Sequence, residues 1–346
     1  MRVHVTDLKP GDCLKDDTFS SRGIHVLPRG TKLQPLEISL LVRHGVDYVD
    51  IDPETPPPQL ARTAALEEVS AGFDSMIDGF ESIYLEALAS GKFNRSVVDD
   101  ALQPMLATLD QHKDVVTLLL LLERDDDYTY NHSLQVGMLS YYIAKWLGYT
   151  EQESYAISRA GYLIDIGKCK IDPFLLNKPG KLSPEEFDEM KLHTQFGYEI
   201  IRSSMSDLPT ALAALQHHER EDGSGYPTGM KQIDIHPFSQ IAAVADVYSA
   251  MTTARVYQSK KELIGVLREL HSMSFGKLNG RAVQALIHHL LPSFIGKRVL
   301  LSSGDMGVII MNNPIDAFRP LIRLDRGGFL DLSAQRDCSI VEIYME

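Results

Sequence analysis

The chain has 346 residues and a formal net charge of −13, with 34 Lys and Arg against 47 Asp and Glu, 44% hydrophobic residues and 23% charged ones. That length and balance suit two or three globular domains and exclude a disordered or fibrous chain. The charge excludes a protein that coats nucleic acid, which needs clustered cations to neutralise phosphates, but leaves room for one small anionic ligand.

Residues 1–52 alternate apolar and polar positions in short runs (Val3, Val5; Ile24, Val26; Val46, Tyr48, Val49, Ile51), broken by Pro10-Gly11 and Pro28-Arg29-Gly30. This predicts a small β-rich module with one short helix over 35–44. The prolines of 53–59 can continue neither a helix nor a ladder, so this stretch reads as a linker. Over 60–122 the residues are helix formers, with Leu66, Val69, Phe73, Met76 and Phe80 spaced by three or four, which is one face of an amphipathic helix. Such stripes need a partner surface, and a homodimer is the expectation drawn from them. Helical periodicity fills 123–291, interrupted by loops at 177–180 and 222–229. In 292–346 period two returns (Val299, Leu301; Val308, Ile310; Ile340, Glu342, Tyr344), which predicts a short C-terminal β segment. The fold class is therefore mainly α: a helical bundle with a small N-terminal β-rich module and a short C-terminal β segment.

Cys13, Cys169 and Cys338 are far apart and odd in number, so no disulfide framework is expected and a reducing compartment fits. The strongest apolar run, Leu118 to Leu122, is far short of the roughly 18 to 20 residues that span a bilayer. The expectation is a cytoplasmic protein without membrane contact.

The chemistry concentrates between 132 and 246. His132, Asp165, His193, the pair His217-His218, and Asp246 follow one another at intervals of 33, 28, 24 and 28 residues. Each interval is about one helix plus one connection, so every side chain can sit on a different helix and point into one bundle interior. Imidazole nitrogens and carboxylate oxygens together suit Fe, Mn, Ni or Zn. A lone histidine is more often a core or capping residue than a ligand. The pair His288-His289 lies in an amphipathic stretch with no acid or glycine-rich loop beside it, and it is read as structural. His217-His218 runs directly into Glu219-Arg-Glu-Asp-Gly-Ser-Gly-Tyr-Pro227, a helix end entering a glycine-rich loop. Tyr141, Tyr142 and Trp146 are read as core. Cys169 is read as an inert small hydrophobe, with a thiol ligand as the weaker alternative.

The run 217–227 closely resembles the HHExxDGxGYP signature of the HD-GYP family, a bacterial branch of the HD-domain metal-dependent phosphohydrolases. Tyr128-Thr-Tyr-Asn-His132-Ser resembles the family's first ligand helix, and Asp165-Ile-Gly-Lys168 the second half of its HDxGK motif. Leu176 to Leu182 resembles the loop that follows, His193 lies in a KxH context, and Asp246 to Arg255 resembles the closing DxxDAMTxxR segment. The resemblance covers about residues 125–290.

It implies an HD-type bundle and hydrolysis of cyclic di-GMP to pGpG or GMP by one or two divalent ions, Fe or Mn foremost, then Ni or Zn. Asp165 would bridge the ions, with His193, His217 and His218 completing one site and His132 and Asp246 serving the other. Lys168 would act beside Asp165 in catalysis and, with Arg255, contact phosphate. Gly225, Tyr226 and Pro227 would shape the ligand pocket or bind a protein partner.

Several departures bear on this. Ile164 stands where the family's HD dyad has histidine, so one ligand of the first ion is missing. Tyr128 stands where members with three ions carry glutamate, and Ser249 where the closing segment has its second aspartate; Gln258 and the Leu278-Asn279 pair also differ. The expectation is a phosphodiesterase weakened by the loss. The alternative is a degenerate domain that binds cyclic di-GMP, or a protein, as a signalling receptor.

Overall fold

The structure, a computed structural model, describes residues 2–5, 8, 11–19, 25–34, 37, 38, 41, 42, 46, 48–51, 58–109, 115, 118, 119, 128–252, 263–313 and 316–344, the side chains of 58–70 and a few others excepted. Arg255, Gln258 and the acidic run 125–127 lie outside these, as do both ends of the helix expected at 35–44. Contacts divide the chain into two compact units, 1–70 and 71–346.

In the first unit β1 (Arg2–His4) pairs antiparallel with β4 (Tyr48–Asp50), and β2 (Thr18–Phe19) with β3 (His25–Leu27). Among the described residues, eight buried apolar side chains, including Val5, Leu14, Leu33, Leu41 and Val49, pack as a core.

The second unit is built on helices: α1 (Pro58–Ser90, part of this unit from Ala71), α2 (Arg95–Leu109), α3 (Tyr128–Trp146), α4 (Glu151–Leu163), α5 (Pro173–Leu176), α6 (Pro184–Lys191), α7 (His193–Ser204), α8 (Leu208–Gln216), α9 (Pro237–Thr252), α10 (Leu263–Met273) and α11 (Gly280–Leu290). The start signals are local. Thr150 and Ser183 make capping boxes with Glu153 and Glu186, and Asp207 and Asn279 cap α8 and α11, satisfying amides that have no partner inside the helix. On α1, Phe73, Met76 and Phe80 are buried as their spacing predicts. Among the described residues no helix is long and apolar enough to cross a membrane.

The C-terminal segment is a five-stranded antiparallel sheet in the order β8-β7-β6-β5-β9, from β5 (Arg298–Leu301), β6 (Met306–Met311), β7 (Leu321–Leu324), β8 (Phe329–Asp331) and β9 (Ile340–Tyr344). Period two marks β5, β6 and β9 but misplaces two faces. On β6 the buried residues are Gly307 and Ile309, with Val308 and Ile310 half-buried. On β9 they are Ile340 and Ile343, because the register shifts opposite Leu300 and Leu301 and an extra residue breaks the alternation.

One tight contact sets the geometry of the site. Asp165 opens a 3₁₀ turn, Ile166–Lys170, that follows α4, and Gly167 in this turn lies flat against the start of α7. A Cβ on Gly167 would fall on the His193 carbonyl oxygen and the Gly197 amide. Gly167→Ala must push α7 off the turn, and we expect it to cost about 1–3 kcal/mol as overpacking does, seen as a lower thermal midpoint, and to weaken metal binding by moving His193.

Candidate metal centre

Six side chains singled out in the sequence converge between α3, the turn after α4, α7, the end of α8 and α9. His132 comes from α3, Asp165 from the turn, His193 from the first position of α7, His217 and His218 from the end of α8, and Asp246 from α9. All are buried except His218, which is partly exposed.

Hydrogen bonding fixes where the lone pairs point. His193 Nδ1 donates to the Met190 carbonyl at 2.7 Å, and His217 Nδ1 to the Ala214 carbonyl at 2.9 Å. Each neutral ring then carries its lone pair on Nε2, and these two Nε2 atoms face each other at 3.4 Å. Asp165 Oδ1 lies 3.5 Å from the first and 3.8 Å from the second, fully buried and without a hydrogen-bond partner. Three lone pairs therefore converge on one point with no proton among them. A buried anionic oxygen left without a partner costs several kcal/mol, and a cation is what such a cluster lacks. Adding His218, the four ligand atoms lie within 4.8 Å of one another. Tetrahedral ligands about 2.1 Å from an ion stand about 3.4 Å apart, so the set is close to that size before any ion draws it in.

The electrostatics suit a cation. Burial pushes the His193 imidazole down to about 4, and pushes His217 and His218 below their ordinary value as well, so all three are neutral donors at pH 7. Burial alone would raise the Asp165 carboxyl, but Lys168, His193, His132 and His217 outweigh it and hold it well below the usual range. Without metal, the pH dependence has a definite sign. A histidine depressed in the fold contributes stability that is fully present above its unfolded value near 6.5 and is lost as pH falls toward about 4. We expect the metal-free protein's thermal midpoint to drop steadily from pH 7 to pH 4, by the equivalent of about 3 kcal/mol from His193 alone. A flat profile would show the imidazoles to be solvated.

The other half of the constellation is organised differently. Asp165 Oδ2 accepts from Lys168 Nζ at 2.6 Å, and His132 Nε2 lies 3.5 Å away. His132 Nε2 is also 3.0 Å from Asp246 Oδ1, while its Nδ1 is 2.9 Å from Ser249 Oγ, which donates onward to Gln135 Oε1 at 2.7 Å. Ile164, next to Asp165 in the chain, is fully buried and offers no lone pair. A serine at 249 thus takes part in orienting His132, a role that spacing alone did not reveal. Cys169 is buried with its thiol pushed up to about 11 by burial, then lowered less by Lys170, and it lies outside the four-residue group.

The loop over the site hangs on a residue of the same motif. Buried Glu219 accepts from the Thr228 amide and hydroxyl, both at 2.8 Å, and from the Met230 amide at 3.0 Å. The Tyr226 amide donates to the His218 carbonyl, and Gly225 passes so close to that carbonyl and to the Arg220 amide that a Cβ has no room. Tyr226 consequently stacks on the His218 ring, centroids 4.6 Å apart, under Phe187 of α6. Pro227 follows it in the same loop. Lys168, Lys170 and Lys178 bond to Asp165, the Leu88 carbonyl and Glu186 respectively. His289 stacks on Trp146 at 4.3 Å, away from the centre.

All six side chains fall within a region that is similar to known proteins. Residues 116–279 match the HD domain family, and the HH-E-DGSGYP run lies within them. These residues are an HD domain of the HD-GYP kind. The HD-GYP domain is 45% identical over 163 residues to a cyclic di-GMP phosphodiesterase of Thermotoga maritima, covering 46% of this chain and 44% of that protein. A cyclic di-GMP phosphodiesterase of Pseudomonas aeruginosa is 27% identical over 350 residues, covering 93% of this chain and 84% of that one. The chain thus spans less than half of the Thermotoga relative and most of the Pseudomonas one. An HDG"Y"P protein from Bdellovibrio bacteriovorus has the same fold, with a TM-score of 0.52 at 18% identity over 83% of this chain and 97% of that one.

Proposed function

We propose that this protein is a metal-dependent phosphodiesterase acting on cyclic di-GMP, with one divalent ion, Fe or Mn, held by Asp165, His193, His217 and His218. The observation that carries the reading is the unpartnered Asp165 Oδ1 facing two imidazole lone pairs. Relatives named for cyclic di-GMP hydrolysis support the substrate. An ion bound there supplies a Lewis acid for a phosphoryl oxygen and lowers the pKa of water.

The chain's own residues do the rest. Asp165 stays ionised, and the backbone carbonyls of Met190 and Ala214 hold His193 and His217 in the ligating tautomer. Lys168 keeps a positive charge beside the carboxylate, 18% exposed and so within reach of an anionic ligand. Burial, then the charges of Asp165 and Asp246, push the Tyr226 phenol upward, so it remains a hydrogen-bond donor over the site. Arg255 would add a second cation to the phosphate from outside the described residues.

A specific observation favours a second reading, the receptor without turnover. Lys168 and His132 occupy Asp165 Oδ2, and Ile164 replaces the ligand that a second ion would need. Incubating the manganese- or iron-loaded protein with cyclic di-GMP and separating the products decides between them. The phosphodiesterase reading expects slow, metal-dependent formation of pGpG or GMP. Stoichiometric binding with no product over long incubation would leave the receptor.

A further inference from the structure

The two oxygens of the Asp165 carboxylate keep different company. Oδ1 faces the lone pairs of His193 and His217 and has no hydrogen-bond partner, which is where a single ion fits. Oδ2 turns to the other half of the centre and accepts from the Lys168 ammonium at 2.6 Å. The backbone dictates this pairing. Asp165 leads into a 3₁₀ turn closed by the Lys168 amide on the Asp165 carbonyl at 2.9 Å, and side chains three residues apart eclipse one another in such a turn. Gly167, between the two, lies against the His193 carbonyl and Gly197, so the contact that places His193 also fixes the turn that carries the ammonium to the carboxylate.

A second divalent ion does not fit beside the first. Its ligands would be Asp165 Oδ2, His132 and Asp246, and position 164 offers it only an isoleucine side chain. Lys168 holds Oδ2 and is 18% exposed, while His132 Nε2 lies 3.5 Å from that oxygen and 3.0 Å from Asp246 Oδ1. A full positive charge therefore stands at the oxygen the second ion needs, and like charges compete for it. The charges of the centre agree with one ion. A single divalent ion neutralises Asp165 and Asp246, and the ammonium then leaves one net positive charge, which matches the single negative charge of a phosphodiester. An ammonium carries three donors, so it can bond Asp165 and a phosphate oxygen together.

We propose that the Lys168 ammonium takes the place of a second metal ion: held on Asp165 Oδ2, it supplies to a bound phosphate the positive charge that ion would carry, and the centre is complete with one ion. The proposal rests on reading the centre as a metal site for a phosphate ester. It gives the loss of a ligand at position 164 a compensation within the same turn.

The test uses the full chain, as wild type and as Lys168→Met, equilibrated with manganese at increasing concentration. Bound metal is counted by elemental analysis, and the affinity for inorganic phosphate is measured calorimetrically at each loading. Wild type should stop at one ion per chain. Lys168→Met should hold one ion and then, at higher manganese, take a second through Asp165, His132 and Asp246. With one ion bound, the variant should bind phosphate about 10- to 100-fold more weakly than wild type, the size of a hydrogen bond to a charged group. The second ion should restore most of that loss. Lys168→Gln, uncharged but still a donor, should behave as Lys168→Met does and serves if the methionine variant fails to fold. Equal phosphate affinities at one ion, a loss that excess manganese does not restore, or a wild type that takes two ions overturns the proposal. A wild type that holds no manganese, or binds no phosphate, rejects the centre itself and the proposal with it. The expected pattern without turnover of cyclic di-GMP would keep Lys168 in the second ion's place and reject only the enzyme reading.

Discussion

Asp165→Ala should leave the purified protein unable to hold metal after reconstitution and dialysis. The carboxylate is the only anion among the four converging ligands, and its Oδ1 faces both imidazole lone pairs. Loss of an outer partner of a metal ligand weakens binding about 10- to 100-fold, so loss of the charged ligand itself should exceed 100-fold. Turnover of cyclic di-GMP should fall to background. The fold should survive, because the substitution also removes an unpartnered buried oxygen, although Lys168 loses its partner at 2.6 Å. Wild type should gain about 3 kcal/mol of thermal stabilisation from metal at a hundred times its dissociation constant, and the variant none. Metal retained in stoichiometric amount would show that the ligands lie elsewhere.

Ile164→His should work in the opposite direction. The isoleucine is fully buried, so an imidazole there must find a partner or cost about 1–3 kcal/mol. In chelator the variant should therefore melt below wild type. With manganese it should recover, because the new nitrogen adds to His132, Asp165 and Asp246 as ligands for a second ion, and bound metal should rise from one to two per chain. Cyclic di-GMP hydrolysis should increase at least tenfold, since two ions can stabilise both the attacking and the leaving oxygen. Two ions with an unchanged rate would move the defect to another departure, with Ser249 beside His132 the first candidate.

Much of this was legible in the sequence for a physical reason. Residues that must meet in a helical bundle recur at intervals of one helix and one connection, and His132, Asp165, His193, His217 and Asp246 do so. The burial of Phe73, Met76 and Phe80 follows from their spacing because one helix face packs whatever its surroundings. What escaped depends on contacts between segments distant in the chain. The pairing of Ser249 with His132 spans 117 residues, and no local pattern marks it. Leu88 sits on an ordinary amphipathic helix, and only the fold brings its carbonyl to Lys170 in the turn of Asp165. β8, at three residues, is too short for a period to declare itself, β7 carries leucine on both of its faces, and the register shift in β9 breaks the alternation on which strand reading depends. Glu219 was visible as part of the motif, but its three bonds to Thr228 and Met230 were not.

The absent histidine and the Lys168 pairing together make the number of bound ions the point on which the account turns. Crystals of the manganese-loaded protein, measured for anomalous scattering, address it directly. A single peak enclosed by Asp165, His193, His217 and His218 is the predicted result. Two adjacent peaks sharing Asp165, or none at the centre, would contradict it.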